Sequence, residues 1–314
     1  MNRLRFTAVF AAVCACANLA SANSGVQLSL NQYQAGSEVT DSSLIVNPGF
    51  ESVGPGNIPT GWTPTPAPPD NIMVGQTPDP ANLPSAPGVL QNRAAQAFNP
   101  GGVSPFNDYK LAQTVTLAPD TDYVLSAYIW SYGVSGPPPH DDLFAGDLAV
   151  VELVDPNDPF NSTGLSLEPT ALDGAAGSRG YFVYKYLNSS QFPTSQVLLE
   201  VEFDPNQNLG FQNRPALSAQ FDNVAITPLT QFVAQRWTNT TSGNWTDPSQ
   251  WVNGPANSKG AIASFNANLA GGVGQVNQSS PVTVGAINFA GNGTYLIQGG
   301  GTLRLDHQEA RDAV

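Results

Sequence analysis

This sequence is poor in cysteine, histidine and charged residues. It contains two cysteines and two histidines, and charged residues make up 11% of it, against roughly 25% in typical soluble domains. Both cysteines, Cys14 and Cys16, lie in a segment that we expect to be removed. Disulfides and a cysteine nucleophile are therefore not expected, so a core, a metal ion or stacked repeats must hold the mature chain.

The first 22 residues have the layout of a secretory leader. Arg3 and Arg5 form a basic start, an apolar run follows, and Ala20-Ser21-Ala22 is a small-x-small cleavage site. Cys16 is an alternative lipid-attachment residue, although the cleavage site favours simple removal. The apolar run is too short to span a bilayer, and no later stretch is long enough. The sequence thus predicts a secreted or cell-surface protein, cleaved near Ala22.

The charge balance and the missing motifs exclude several classes of function. The net charge is −13, and the loss of two arginines with the leader makes it −15. Such a surface repels nucleic acid and anionic lipid and attracts cations. The sequence also lacks Gly-x-Ser-x-Gly, His-Glu-x-x-His and a phosphate-binding loop. We therefore expect no enzyme, although a pair of glycosidase carboxylates would leave no sequence signature.

Short alternating segments separated by turn residues fill the middle of the chain. They predict an antiparallel β-sandwich of the jelly-roll type over residues 44–229, preceded by an extension or edge strand over 23–43. Residues 54–105 are rich in Pro, Gly and Asn and predict long loops with short strands. The clearest predicted strands are Gln113–Leu117, Tyr123–Tyr132, Gly146–Val154, Tyr181–Leu187, Val197–Phe203 and Phe221–Thr227.

The pattern changes at Gln231. Three tryptophans come in quick succession, and strands of four or five residues then alternate with Gly and Asn turns. Such strands are typical of the rungs of a β-solenoid, and about two rungs are predicted over residues 230–306. The tail, 307–314, is polar and matches neither pattern.

The order of several motifs resembles a family of carbohydrate-binding modules with a galactose-binding-like jelly roll, often attached to xylanases and glucanases. The motifs are Asn47-Pro48-Gly49-Phe50-Glu51 with Gly61-Trp62, Gln113 to Leu117 with Tyr123 to Ala127, and Phe221-Asp222-Asn223-Val224. The resemblance implies a structural calcium ion that joins the first and last strands, with Glu51 and Asp222 as ligands. A solvated Glu51 and a turn or edge Asp222 are the alternative.

The region after Gln231 has a second resemblance. Its spaced tryptophans, with Gly243-Asn244-Trp245 and Val284 to Phe289, resemble the start of autotransporter-associated β-strand repeats. This family occurs in large exported bacterial surface proteins.

Alternation places a set of aromatic and acidic side chains where a polysaccharide could bind. Sugars stack on aromatic rings, and carboxylates accept hydrogen bonds from their hydroxyls. The alternative is that the aromatic side chains belong to the core or lie under loops; packing is also the expected role of Trp62, Trp237, Trp245 and Trp251. The candidate carbohydrate-binding residues are Tyr128, Trp130, Tyr132, Tyr184, Tyr186, Glu200 and Glu202.

Three hypotheses about function follow from these patterns. The first is an exported, non-catalytic, calcium-stabilised module that binds a polysaccharide or a cell-surface glycan. The second is a structural or adhesive surface protein whose jelly roll packs against the solenoid and has no sugar specificity. The third is a fragment of a glycan-degrading enzyme, which needs a groove with two facing carboxylates.

Overall fold

The computed structural model describes residues 25–29, 37–65, 72–74, 95–99, 109–133, 148–167, 179–204 and 217–306, which form mostly β-strands. The expected leader, 1–22, and the tail, 307–314, lie outside these residues. No helix in the described ranges is long and apolar enough to cross a membrane. The helical segments are single 3-10 turns at Pro55–Asn57, Ser189–Gln191, Pro248–Gln250 and Ala270–Gly272.

Two antiparallel sheets form the first part of the fold. The six-stranded sheet has the order β1-β9-β6-β11-β4-β3, and the five-stranded sheet has the order β2-β5-β10-β7-β8. The strands of the first sheet are β1 (Val26–Ser29), β3 (Ile72–Val74), β4 (Ala95–Asn99), β6 (Asp122–Gly133), β9 (Arg179–Asn188) and β11 (Leu217–Pro228). Those of the second are β2 (Thr63–Thr65), β5 (Tyr109–Thr116), β7 (Leu148–Asp155), β8 (Asp158–Leu167) and β10 (Gln196–Asp204).

The core of the sandwich lies between these two sheets. In β6 the alternate residues Tyr123, Leu125, Ala127 and Ile129 point into it, and in β10 the residues Val197–Val201 contribute every second side chain. Each large apolar side chain buried in this way contributes about 1.5–3 kcal/mol relative to exposure. The predicted all-β sandwich and its alternation are therefore confirmed.

Parallel pairing replaces antiparallel pairing after Pro228. One sheet has the order β14-β12-β15-β18, the second has β13-β16-β19, and the third has β17-β20; apart from β14, which runs antiparallel to β12, neighbours are parallel. The strands are β12 (Gln235–Trp237), β13 (Ser242–Asn244), β14 (Trp251–Val252), β15 (Ile262–Phe265), β16 (Val273–Asn277), β17 (Val282–Val284), β18 (Ala286–Phe289), β19 (Thr294–Gln298) and β20 (Leu303–Leu305).

Successive passes of the chain therefore stack on one another. Thr294 pairs with Val273 and Leu303 with Val282, so each partner lies 21 residues further along the chain. Glycine is required where the passes touch: a Cβ on Gly285 would lie 2.5 Å from the Cα of Gly260. We call residues 235–306 the stacked coils, and β18, β19 and β20 together the last coil.

The outer face of the six-stranded sheet packs against the stacked coils. Tyr184 donates a hydrogen bond from its hydroxyl to Oε1 of Gln235 at 2.6 Å, and that hydroxyl accepts one from the Ile262 amide at 3.4 Å. The rings of Tyr184 and Phe232 are 5.0 Å apart. Both parts of the chain thus share a second hydrophobic core.

Candidate functional site

The Asn47-Pro48-Gly49-Phe50-Glu51 motif forms a tight loop that is held from within. Asn47 and Phe50 have φ angles of 54° and 56°, in the left-handed region. The Asn47 side chain donates to the Ser52 carbonyl at 2.7 Å and accepts from the Ser52 amide at 3.0 Å. The Trp62 indole donates to the Asn47 carbonyl at 3.2 Å, and its ring packs on Phe50. This loop fixes the backbone immediately before Glu51.

A β-bulge in β11 turns the other acidic residue toward this loop. The register with β6 shifts between Asp222 and Ala225, and Asn223 has a φ of 48°. The Val224 amide donates to the Pro48 carbonyl at 3.1 Å, which ties the bulge to the loop. Bulges commonly re-aim a side chain in this way.

Gly49 lies against both acidic segments. A Cβ at this position would lie 3.4 Å from Oδ1 of Asp222, 3.3 Å from Oδ1 of Asn223 and 3.9 Å from Cγ of Glu51. The structure therefore brings together Gly49, Glu51, Asp222 and Asn223, which we call the oxygen cluster. Glu51 and Asp222 were predicted as partners, whereas Gly49 and Asn223 were not.

The electrostatics of the oxygen cluster centre on Asp222. Its side chain is buried, and among the described residues its Oδ2 has no hydrogen-bond partner. Burial raises the pKa of Asp222, a hydrogen bond from the Asn223 amide lowers it, and the nearby charge of Glu51 raises it, which together bring it to about 8. A hard cation prefers carboxylate and carbonyl oxygens, so the donor set of the oxygen cluster fits a calcium ion.

A second charged group lies on the outer face of the five-stranded sheet. The Lys110 ammonium is 3.3 Å from a carboxylate oxygen of Glu200 and 2.8 Å from one of Glu202. Glu152 lies directly opposite Glu200 on the neighbouring strand. One oxygen from each of the three carboxylates lies within 4.8 Å of the others. We call these four residues the lysine–glutamate cluster.

Burial and neighbouring charges shift the pKa values of Glu152 and Lys110 in the lysine–glutamate cluster. Burial raises the pKa of Glu152, and a hydrogen bond from Ser162 and the charge of Lys110 partly oppose that. Burial alone would lower the pKa of Lys110, but hydrogen bonds and charges from Glu202 and Glu200 raise it well above its usual range. Lys110 therefore stays protonated and holds Glu200 and Glu202 in place.

Three of the predicted aromatic candidates, Tyr128, Tyr184 and Tyr186, lie on the opposite side of the sandwich from Glu200 and Glu202. Tyr128 and Tyr184 are 1% and 0% exposed, because the stacked coils cover the outer face of the six-stranded sheet. The expectation that these two tyrosines line an open sugar-binding face is therefore corrected, because both rings pack in the core that the sheet shares with the stacked coils. The alternative reading, that the aromatic side chains belong to a core, describes them better.

The remaining aromatic candidates have different positions. Tyr186 is half-buried beside the same core, and its hydroxyl donates to Oδ1 of Asp122 at 2.7 Å. Burial and then the hydrogen bond to Asp122 and its charge raise the pKa of Tyr186 to about 12. The backbone of Trp130 and Tyr132 belongs to β6, while their side chains lie outside the described part of the structure.

The four tryptophans expected to serve packing are all buried. Trp62 lies in the sandwich core, and Trp237, Trp245 and Trp251 lie in the core of the stacked coils. The Trp245 indole donates to the Ala256 carbonyl at 2.9 Å, and the Trp251 indole donates to the Trp245 carbonyl at 2.8 Å. Their predicted role in packing is confirmed.

The sequence prediction missed Lys110 and Glu152. Each is a charged residue between two apolar residues of its strand, so its side chain is expected on the outer face. This is the same signal that identified Glu200 and Glu202. Their importance depends on the pairing of β5, β10 and β7, which alternation within a single strand does not reveal.

Comparisons with known proteins give distant structural likenesses. No family model and no curated protein matches this sequence. A solved structure of TmCBM61 in complex with β-1,4-galactotriose is 13% identical, with a TM-score of 0.35, over 60% of this chain and 99% of that one. A family 16 carbohydrate-binding module is 18% identical, with a TM-score of 0.28, over 59% and 99%.

A further likeness is to a protein of a different kind. A cleaved adhesin domain of Lys-gingipain from Porphyromonas gingivalis is 13% identical, with a TM-score of 0.29, over 62% of this chain and 99% of that one. At identities of at most 18% and TM-scores of at most 0.35, these three likenesses carry no argument about function.

Proposed function

We propose that this chain is an exported, non-catalytic module that binds a glycan on the outer face of the five-stranded sheet. The observation that carries the proposal is the lysine–glutamate cluster. Glu152 and Glu200 are like charges directly opposite each other on neighbouring strands, an arrangement that costs stability. Proteins keep destabilising arrangements of this kind mainly at functional sites.

The chemistry of the cluster suits a polyhydroxylated ligand. Carboxylates accept hydrogen bonds from sugar hydroxyls, and the ammonium of Lys110 donates to ring or hydroxyl oxygens. Lys110 keeps 29% of its side-chain exposure, so the cluster reaches solvent. Because the chain is strongly acidic, an uncharged or basic glycan is favoured over an anionic one.

The oxygen cluster supports a second part of the proposal, a structural calcium ion. Glu51 and Asp222 would hold the ion, with Asn223 and the backbone near Gly49 as neighbouring oxygen donors. The bound ion would neutralise a buried carboxylate oxygen and tie the loop before Glu51 to the bulge in β11.

A structural or adhesive surface protein is the second candidate. The shared core between the six-stranded sheet and the stacked coils favours it, since that face serves packing and not recognition. In this reading the stacked coils are the start of a β-solenoid on an exported protein, and the sandwich has no sugar specificity.

Affinity electrophoresis of the full chain through gels that contain neutral polysaccharides tests glycan binding. We expect retention by at least one polysaccharide. Glu200→Gln and Lys110→Met should each weaken retention about tenfold or more, equivalent to about 1.4 kcal/mol or more. Lys259→Met is a matched control, because Lys259 is an exposed lysine of the stacked coils. Circular dichroism of each variant separates loss of binding from loss of fold.

Two outcomes would contradict the proposal. Equal retention of the Glu200→Gln variant and the unchanged chain would show that the glycan binds at a different place on the protein. Release of reducing sugar during the same incubation would overturn the non-catalytic assignment and favour the enzyme reading, since Glu152 and Glu200 face each other.

A further inference from the structure

One aromatic side chain faces solvent on the five-stranded sheet that carries the lysine–glutamate cluster. Phe160, near the start of β8, is 87% exposed, the highest value for a large apolar side chain in the described residues. An apolar ring that faces water costs free energy that burial against a partner would recover. Because the rings of Tyr128 and Tyr184 are buried, Phe160 offers a ligand an aromatic surface that those two tyrosines do not.

The backbone around Phe160 is held in place although the ring is exposed. The Phe160 amide donates to Oδ1 of Asp158 at 3.2 Å, and the Asn157 amide donates to Oδ1 of Asp155 at 2.9 Å. Pro159, directly before Phe160, has a φ angle that its own ring restricts. A support of this kind lowers the conformational entropy that a ligand loses the protein on binding to the ring.

The Phe160 ring points to the same side of the sheet as the lysine–glutamate cluster. The Asn161 side chain donates to the Gln191 carbonyl at 3.4 Å, in the turn that follows β9 of the six-stranded sheet. Consecutive side chains of a strand point to opposite faces, so Phe160 points away from the six-stranded sheet. Ser162 points the same way, and its side chain donates a hydrogen bond to the carboxylate of Glu152.

The distance from the ring to the cluster is longer than a single sugar. Gly164 lies directly opposite Glu152, and Phe160 precedes it by four residues of β8, which corresponds to roughly 10–13 Å of strand. Ser162 lies between them, opposite Val154 of β7. The outer face therefore carries an aromatic ring, a hydroxyl and a group of carboxylates in a row along β8.

We infer that Phe160 is the stacking platform of a glycan site that runs along β8, and that this site takes the interior of a neutral polysaccharide chain and not a single sugar. The inference rests on the proposed function, because the lysine–glutamate cluster supplies the second contact. One pyranose unit places its apolar face on the Phe160 ring. The hydroxyls of a unit further along the chain bind the carboxylates of Glu152 and Glu200.

Calorimetric titration of the full chain with oligosaccharides of increasing length tests the inference. The probes are partial hydrolysates of whichever polysaccharide the gels retain, from hydroxyethylcellulose, arabinoxylan and galactomannan. We expect the affinity of the unchanged chain to rise about tenfold or more from disaccharide to hexasaccharide. Phe160→Ala should remove most of this rise, whereas Phe160→Tyr should keep it, because tyrosine retains the aromatic ring.

Val273→Ala is the matched control for the loss of an exposed apolar side chain. Val273 is 55% exposed on β16 of the stacked coils, and not on the sandwich. Its substitution should leave the affinity for every oligosaccharide unchanged. Circular dichroism of the variants should match that of the unchanged chain, because both substituted side chains are more than half exposed.

Each contrary result has a separate meaning. Equal hexasaccharide affinity of Phe160→Ala and the unchanged chain, with Glu200→Gln still weakened, would overturn the platform and leave the proposed function standing. An affinity that does not change with length would replace the extended site with a single-sugar pocket. Equal losses in Phe160→Tyr and Phe160→Ala would exclude stacking. Retention by none of the three polysaccharides would overturn the proposed function, and the inference with it.

Discussion

Asp222 combines burial with an oxygen atom that has no hydrogen-bond partner in the described part of the chain. A buried carboxylate in this state is costly unless it is protonated or bound to a cation. Burial and Glu51 raise its pKa to about 8, so the protonated form is favoured near neutral pH when no cation is bound. A calcium ion would remove the cost while both residues remain charged.

Removal of calcium should lower the melting temperature. A ligand at about one hundred times its Kd stabilises the folded state by about 2.7 kcal/mol, which corresponds to roughly 5–10 °C. We expect a shift of this size between calcium-loaded and chelator-treated protein in differential scanning calorimetry. Asp222→Asn should abolish most of the shift, since it removes one charged ligand.

Asp120→Asn is the matched control for this prediction. Asp120 is exposed in a turn with a φ of 46°, a conformation that Asn also tolerates. Its calcium response should equal that of the unchanged chain. An identical melting temperature with calcium and with chelator would exclude a structural calcium ion.

At the scale of elements, one side chain joins the opening loop to the five-stranded sheet. Gln113 is 7% exposed in β5, where its Oε1 accepts from the Val46 amide at 2.9 Å and its Nε2 donates to the Val46 carbonyl at 3.2 Å. This pairing reproduces the bonds of a β-ladder with a side chain. It holds the loop that carries Glu51 beside the sandwich.

Gln113→Ala should destabilise the protein by about 1–3 kcal/mol, because it leaves two backbone groups of Val46 without their partner. Urea unfolding monitored by circular dichroism measures the loss. Thr114→Ala, an exposed neighbour on the same strand, should stay within about 0.5 kcal/mol. Similar losses in both variants would mean that the bonds to Val46 do not hold the loop.

Several elements could be predicted from sequence, and others were missed. The predicted strand Tyr123–Tyr132 lies within β6, and Phe221–Thr227 lies within β11, because alternation and turn residues are local signals. The hairpin partner β8 was not predicted: its residues Asp158–Leu167 include Pro, Asn and Gly and few apolar side chains. This segment is a strand because it pairs with β7, although its own composition does not predict one.

At the scale of the whole molecule, the sandwich and the stacked coils are joined by a buried polar contact inside an apolar core. The Tyr184 hydroxyl bonds both Gln235 and the Ile262 amide, and Tyr184 is fully buried. A contact of this kind couples two parts of a chain, since breaking it leaves buried groups unsatisfied. We therefore expect both parts to unfold in one transition.

Tyr184→Phe should remove that coupling at a cost of about 1–3 kcal/mol. Three of the five tryptophans, Trp237, Trp245 and Trp251, lie in the coils, so tryptophan fluorescence is weighted toward the coils, whereas far-UV circular dichroism reports on all strands. The two transitions should coincide in the unchanged chain and separate in the variant. Tyr186→Phe is the control, because its hydroxyl bonds Asp122 within the sandwich; separation in that variant as well would place the coupling elsewhere.

The sequence by itself determined which side chains share a face, because the period of two along a strand is local. On those grounds Tyr128 shares a face with Trp130 and Tyr132 in one predicted strand, Tyr184 with Tyr186 in a second, and Glu200 with Glu202 in a third. Only the tertiary structure decided which face stays open. The cover over Tyr184 comes from Gln235 and Ile262, which are 51 and 78 residues further along the chain. Lys110 and Glu200 are likewise 90 residues apart, so the pairing of strands, and not their local pattern, placed the candidate site.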